Sequence, residues 1–142
     1  MGQSGVSSYR DLLVWKQAMD LAEACYRMTA NFPKSETYGL TGQLRRSAAS
    51  VPANIAEGYG RETTGSYIQF LRVAQGSLKE LETHLLLATR VDLVTGGVAE
   101  PLLGQCESVG KLLHLLIRSL QDKRMDSPTP LLPYSPLERG TS

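Results

Sequence analysis

The sequence predicts an all-α fold, an antiparallel up-down-up-down four-helix bundle, from three observations. Four long segments carry apolar residues at alternating steps of three and four, the period of a helix with one face in a core. Short turns marked by proline or paired glycines separate them, which favours antiparallel neighbours. No segment alternates between apolar and polar residues as a half-buried strand would. The expected layout is a flexible N-terminus at 1–8, the bundle at 9–124, and a proline-rich, disordered tail at 125–142.

The first helix is expected from Tyr9 to Ala30, with a core stripe of Leu12, Trp15, Met19, Ala22 and Tyr26. A second apolar line runs Val14, Ala18, Leu21, Cys25, Met28 and Phe32. Two lines make a wider apolar surface than one intramolecular seam needs, which points to self-association. Phe32-Pro33 then ends the helix, because proline cannot continue it and biases its predecessor away from α geometry.

The second helix is expected from Tyr38 or Gly39 to Tyr59, with Leu40, Leu44, Ala48, Val51 and Ile55 inward. Pro52 predicts a kink or loosened turn, and Gly58 and Gly60 predict the stop. The third, capped by Thr63 or Thr64, reaches about Asp92 on the stripe Tyr67, Leu71, Ala74, Leu78, Leu81, Leu85 and Ala88. Thr95-Gly96-Gly97 is the next turn. The fourth helix runs from Val98 to Arg124 with Leu102, Cys106, Val109, Leu113, Leu116 and Leu120 inward. Its start is set by Pro101, tolerable only in a first turn. Beyond it, Pro128, Pro130, Pro133 and Pro136 exclude helix and central strand; the segment is either an unstructured tail or one that docks Leu131, Leu132 and Tyr134 on a neighbour.

Composition excludes several functional classes. An apolar fraction of 42% is ordinary for a folded soluble chain. No apolar run approaches the roughly 20 residues of a membrane span. The first residues lack the charged start and apolar middle of a secretion signal. Met1-Gly2 is followed by Val6 where a myristoylation signal wants Ser or Thr. A cytoplasmic protein with no membrane partner is expected. With 15 basic and 14 acidic residues, the net charge of +1 is no footprint of a strong nucleic-acid binder, though it permits a local patch. Cys25 and Cys106 fall on apolar faces and read as small buried hydrophobes.

The second helix also carries a polar line, Gln43, Ser47, Ser50, Asn54, Glu57 and Arg61, beside a small-residue line of Gly42, Ala49, Ala53 and Ala56. Ordinary solvated faces are rich in Lys and Glu; this one is small and amide-bearing, so a specific helix–helix contact competes with simple solvation. The third helix answers with Ser77, Glu80 and His84 amid apolar residues. A half-buried carboxylate needs a partner, and Arg45 or Arg46 on the second helix is the expected one.

Catalytic and metal chemistry find no support. Glu80 and His84 lie one turn apart, but a di-metal carboxylate bundle needs more ligands, typically in Glu-x-x-His spacing. No nucleophile elbow or phosphate-binding glycine loop is present. No cofactor, no metal and no enzymatic activity are expected. Lys111, His114 and Arg118 share one side of the fourth helix, and Lys123 and Arg124 stand at its end. They complement the helix dipole or contact phosphate, and an oligomer would multiply such weak contacts.

Several short motifs agree in order. They are Asp11-Leu12-Leu13-Val14-Trp15-Lys16, Phe32-Pro33, Gly39-Leu40, Gln43-Leu44-Arg45-Arg46-Ser47-Ala48, Val51-Pro52-Ala53-Asn54-Ile55-Ala56-Glu57-Gly58 and Gly60-Arg61. On the third helix, Phe70-Leu71, Ala74 and Gly76-Ser77-Leu78-Lys79-Glu80-Leu81-Glu82-Thr83 belong with them. Over Tyr9 to Leu120 the chain resembles the bacterial four-helix bundle proteins first noticed in intervening sequences of large-subunit ribosomal RNA genes. The resemblance implies a homo-oligomer, a pentameric ring. It also implies kinship with the accessory variability determinant proteins of diversity-generating retroelements, which bind nucleic acid and a reverse transcriptase. It carries over Gln43, Arg45, Arg46, Ser50, Asn54, Glu57, Gly58, Arg61, Ser77, Glu80 and Glu82 as interface or binding positions. The near-balanced charge and the proline-rich extension after Met125 lie outside the resemblance.

The expected function is a non-enzymatic, self-associating bundle that binds RNA, a ribonucleoprotein or another nucleic-acid-processing protein. The alternative is a protein–protein interaction module that touches no nucleic acid.

Overall fold

Residues 5–126 are described by the computed structural model. The tail was expected from 125, but α4 takes in 125 and 126; the rest of it, from 127 onward, and residues 1–4 lie outside the described residues. Four α-helices follow one another: α1 Leu13–Thr29, α2 Leu40–Tyr59, α3 Thr64–Arg90 and α4 Gly96–Asp126. Among the described residues there is no strand. α2 and α3 form the most extensive pairing; α1–α2, α3–α4 and α1–α4 close the square, with α1 diagonal to α3 and α2 to α4. This is the antiparallel bundle that the apolar periodicity predicted.

The ends of the helices differ from expectation where local hydrogen bonds compete with the α ladder. α1 does not begin at Tyr9. Tyr9–Asp11 form a 3-10 turn closed by a capping box, with Arg10 N–H donating to Ser8 Oγ at 3.0 Å and Ser8 N–H to the Asp11 carboxylate at 3.2 Å. Hydrogen bonds from Ser7 and Ser8 hold that carboxyl below the usual carboxylate range. Leu12 is extended at φ −74°, ψ 128°, so the helix restarts at Leu13.

At the other end of the bundle, Gly96 and Gly97 belong to α4 rather than to the turn before it. The turn is Val91–Thr95, reversed by Asp92 at φ 62°, a left-handed conformation that Asp tolerates. Thr95 caps α4 by accepting from Val98 N–H at 3.3 Å. Pro101 therefore lies past the first turn. The hydrogen bond it forfeits would have gone to Gly97, which is exposed and can bind water instead. Pro52 likewise sits inside α2, and the helix runs from Leu40 to Tyr59 without interruption.

The core is aliphatic. Leu21, Leu44, Val51, Ile55, Leu71, Leu81, Leu85, Val109 and Leu113 are fully buried, joined by Cys25 and Cys106. Both thiols are free, and burial pushes each up to about 12. The stripe expected on α3 is buried from Leu71 to Ala88, with Tyr67 half-buried at its foot. On α4, Ile117 is buried while Leu116 and Leu120 are half-exposed, so the inward line drifts by one residue near its end.

Candidate interaction surfaces

α1 resolves its two apolar lines in an unexpected order. Val14, Ala18, Leu21, Cys25 and Met28 face the core. Of the line expected to be the core stripe, only Leu12 and Ala22 are buried. Trp15 is half-buried, while Met19 and Tyr26 are 44% and 46% exposed. The reason is geometric: α1 lies beside α2 and α4 at one corner of the square, so only one of two adjacent stripes can face its centre. Met19 and Tyr26 sit there beside Ala49, Pro52, Ala53 and Ala56 of α2, forming a groove of about 590 Å³ closed at one end by Tyr9 and Trp15. Tyr9 packs edge-to-face on Trp15, ring centroids 5.3 Å apart. Glu23 is the one charged residue lining this groove, and Arg27 binds its carboxylate at 2.6 Å.

The middle of the polar line of α2, Ser47, Ser50 and Asn54, is buried or half-buried, while Gln43, Glu57 and Arg61 are exposed. Ser47 is buried, and its hydroxyl donates to the Gln43 carbonyl of its own helix at 3.0 Å. The Ser50 and Ser77 hydroxyls share a hydrogen bond of 2.7 Å between α2 and α3. Asn54 Nδ2 donates to the Ser50 carbonyl at 2.8 Å and to its hydroxyl at 3.0 Å, completing a three-residue network. One turn further, Arg61 binds Glu57 at 2.6 Å and lies over the Phe70 ring at 4.6 Å. Gly58 is buried against α3: a Cβ there would stand 2.9 Å from Phe70 Cβ and 3.1 Å from the Tyr67 carbonyl oxygen.

The expected arginine–Glu80 pair does not form. Arg45 turns to α1 instead, with Nε donating to Thr29 Oγ1 at 2.8 Å, a second nitrogen donating to the Tyr26 carbonyl at 3.2 Å, and the guanidinium over the Tyr26 ring at 4.6 Å. Glu80 is exposed and needs no buried partner. It shares an open polar cleft of about 340 Å³ with Gln43, Arg46, Ser47, Ser50 and His84, without an ion pair to Arg46.

A third depression, about 850 Å³, runs between α3 and α4 over the glycines Gly76 and Gly110. Arg72 and Lys79 border it on one side, Lys111 and His114 on the other, with Leu78 and Leu115 between. Glu82, expected as an interface residue, lies here and binds Lys79 at 3.2 Å; Glu107 faces Lys111 at 3.9 Å. Arg118, Lys123 and Arg124 continue the basic side of α4, all exposed. The candidate binding residues are thus divided among the α1–α2 contact (Arg45), the α2–α3 contact, the polar cleft, the α3–α4 groove and the exposed last turns of α4. Arg72, Lys79 and the Trp15–Met19–Tyr26 face were not anticipated as surface features. The doubled stripe on α1 was the one signal that could have found the last of these.

Among the described residues no group of His, Cys, Asp and Glu could hold a metal, and no helix is long and apolar enough to cross a membrane. Fold and surface together define an all-helical bundle with grooved helix faces. Residues 10–115 match the family model of the 23S rRNA-intervening sequence proteins, and the chain belongs to that family. Among solved structures it is similar to a protein of unknown function from the S23 ribosomal protein family of Bacteroides thetaiotaomicron. The identity is 24% and the TM-score 0.68, with 75% of this chain and 99% of that one covered. Among curated proteins nothing matches.

Proposed function

We propose that the protein is a non-catalytic adaptor whose copies associate through the α1–α2 groove and which contacts RNA or a ribonucleoprotein through the basic side of α3 and α4. The observation that carries the first half is the outward line of α1. Trp15, Met19 and Tyr26 beside a floor of alanines form a contiguous apolar surface of the kind that marks an interface. Small residues on α2 let another backbone approach closely. The polar cleft and the hydroxyl network hold no activated nucleophile, which supports a binding rather than a catalytic role.

The second half rests on Arg72, Lys79, Lys111 and His114 around one depression, on exposed Arg118 one turn further along α4, and on the family's description. Charge pairing at Lys79–Glu82 and Lys111–Glu107 neutralises part of that rim and favours the second reading, a module that binds protein alone.

Light scattering tests self-association. The wild-type chain should show a multiple of 15.5 kDa at micromolar concentration, and Met19→Glu/Tyr26→Glu should run as a folded monomer. A wild-type monomer refutes it. Fluorescence anisotropy against a structured ribosomal RNA fragment tests the rest. Affinity whose logarithm falls linearly with the logarithm of salt concentration identifies phosphate contacts; no binding at low salt leaves the protein-only module.

A further inference from the structure

The groove between α3 and α4 is deepened by missing side chains. Gly110 lies level with Leu78, whose Cδ2 stands 3.4 Å from where a Gly110 Cβ would be. Gly76 precedes Leu78 by two residues, about 3 Å along the axis at roughly 1.5 Å per residue. The two glycines therefore face the trough from opposite walls at nearly one level. A Cβ on Gly76 would meet nothing within 4 Å. Leu78 and Cys106 are buried at the floor, and Leu115 on the α4 side is 63% exposed.

Charge is sorted along this trough. α3 and α4 run antiparallel, so lower numbers on α3 and higher numbers on α4 lie toward the same end. Arg72 stands there, four residues before Gly76, and His114 four residues after Gly110, with Arg118 one turn further along α4. Among the described residues none of these three makes an ion pair. The remaining charges are matched, Lys79 by Glu82 and Lys111 by Glu107. One end of an apolar trough thus presents unmatched cations, and the rest of it asks for no charge.

Phosphates alone would use the cations and leave Leu78, Cys106 and Leu115 uncovered. A helix with one apolar face and acidic residues uses both parts of the trough. Two helices side by side accept a third laid along their groove, and glycines at the contact let it approach closely. From Arg72 to Glu82 the α3 wall is ten residues long, about 15 Å, or roughly three turns of such a helix.

We infer that the α3–α4 groove receives an acidic amphipathic helix of a partner protein, with a large apolar side chain seated between Gly76 and Gly110. The levels of the cations set its pattern. Arg72 and His114 each stand about 6 Å along the axis from a glycine, the rise of roughly four residues. An Asp or Glu four residues from the apolar anchor lies on the same face and meets them. A second acid, roughly seven or eight residues from the anchor, meets Arg118. The inference rests on this side of the bundle being the contact surface proposed above, and not on its binding RNA.

A displayed library of helical peptides of about 18 residues, five turns, selected on the full-length chain tests it. Enriched peptides should share a Leu, Met or Phe with Asp or Glu four residues away on the same face. Fluorescence anisotropy with a labelled copy of the most enriched peptide then locates the site. Gly76→Gln fills the trough at an exposed helical position where the added Cβ touches no neighbour, and circular dichroism should find its helix content unchanged. Gly76→Gln and Arg72→Glu should each weaken binding by about tenfold or more. No enrichment, enrichment without the acidic residues, or unchanged affinity in either variant overturns the inference. RNA anisotropy on the same proteins separates it from the RNA reading. A chain that binds the peptide and no RNA keeps the helix site and refutes RNA contact; one that binds RNA and enriches no peptide does the reverse.

Discussion

Two glycines on neighbouring helices should respond to the same substitution with opposite signs. Gly58 and Gly76 both lie inside α-helices, and no glycine among the described residues has a positive φ, so neither is required by its backbone conformation. Replacing either with alanine should recover helix propensity, about 0.8–1.0 kcal/mol. Around Gly76 nothing lies within 4 Å of an added Cβ, so the gain stands. At Gly58 the new methyl meets Phe70 Cβ at 2.9 Å, Tyr67 Cδ1 at 3.0 Å and the Tyr67 carbonyl oxygen at 3.1 Å. Two of these three belong to or adjoin the α3 backbone, so the helices must separate rather than a side chain rotate. Overpacking of this kind costs about 1–3 kcal/mol, and the unyielding neighbours place it in the upper part of that range. Gly58→Ala should therefore lose about 1–2 kcal/mol net, while Gly76→Ala gains up to about 1. Urea unfolding at one fixed protein concentration, with equal m-values, reads both. A Gly58→Ala chain as stable as Gly76→Ala would refute the close approach of α2 and α3.

Four further outcomes follow from the geometry. Ser50→Ala, Ser77→Ala and the double variant, compared in a cycle, should yield a coupling of about 1 kcal/mol for the hydroxyl pair; additive losses would dismiss it. Arg45→Ala should cost about 1–2 kcal/mol through its bonds to Thr29 and Tyr26, whereas Glu80→Ala should stay within about 0.5, both by chemical denaturation. Thr41 Oγ1 is buried without a hydrogen-bond partner, so Thr41→Val should raise stability by about 1 kcal/mol, again by urea titration. Cys25 and Cys106 are held neutral up to about 12 against 9.0 for a free thiol. The folded state then binds more protons than the unfolded state between those values. Their contribution is complete below pH 9 and is lost as pH rises toward 12, by at most about 1.4 kcal/mol per thiol per pH unit. Thiol titration at pH 8 should find both cysteines unreactive until denaturant is added.

Where an element depends on its own residues, the sequence was legible. The stripe of α3 can lie on only one face, and a helix with a single apolar face has one way to enter a core. The end of α2 at Tyr59 and the cap at Thr63 are likewise local, since each depends on residues within one turn. α1 was ambiguous because both of its lines are apolar. Which one is buried depends on where α2 and α4 stand, and nothing within α1 records that. The Glu80 pairing failed for a related reason. An arginine's reach includes two neighbouring helices, and Thr29 with the Tyr26 carbonyl and ring offers Arg45 more partners than an exposed carboxylate does. Pro101 misled because its cost was judged without knowing that the carbonyl it abandons is open to water.

Helix number and order, and the core faces of α2 and α3, were therefore settled by periodicity, a property of each segment alone. The outward turn of Trp15, Met19 and Tyr26, the Ser50–Ser77–Asn54 network and the three grooves were decided by tertiary structure. Each is a relation between residues on different helices or turns, and the rotation of one helix against another is set by the packing of the whole bundle.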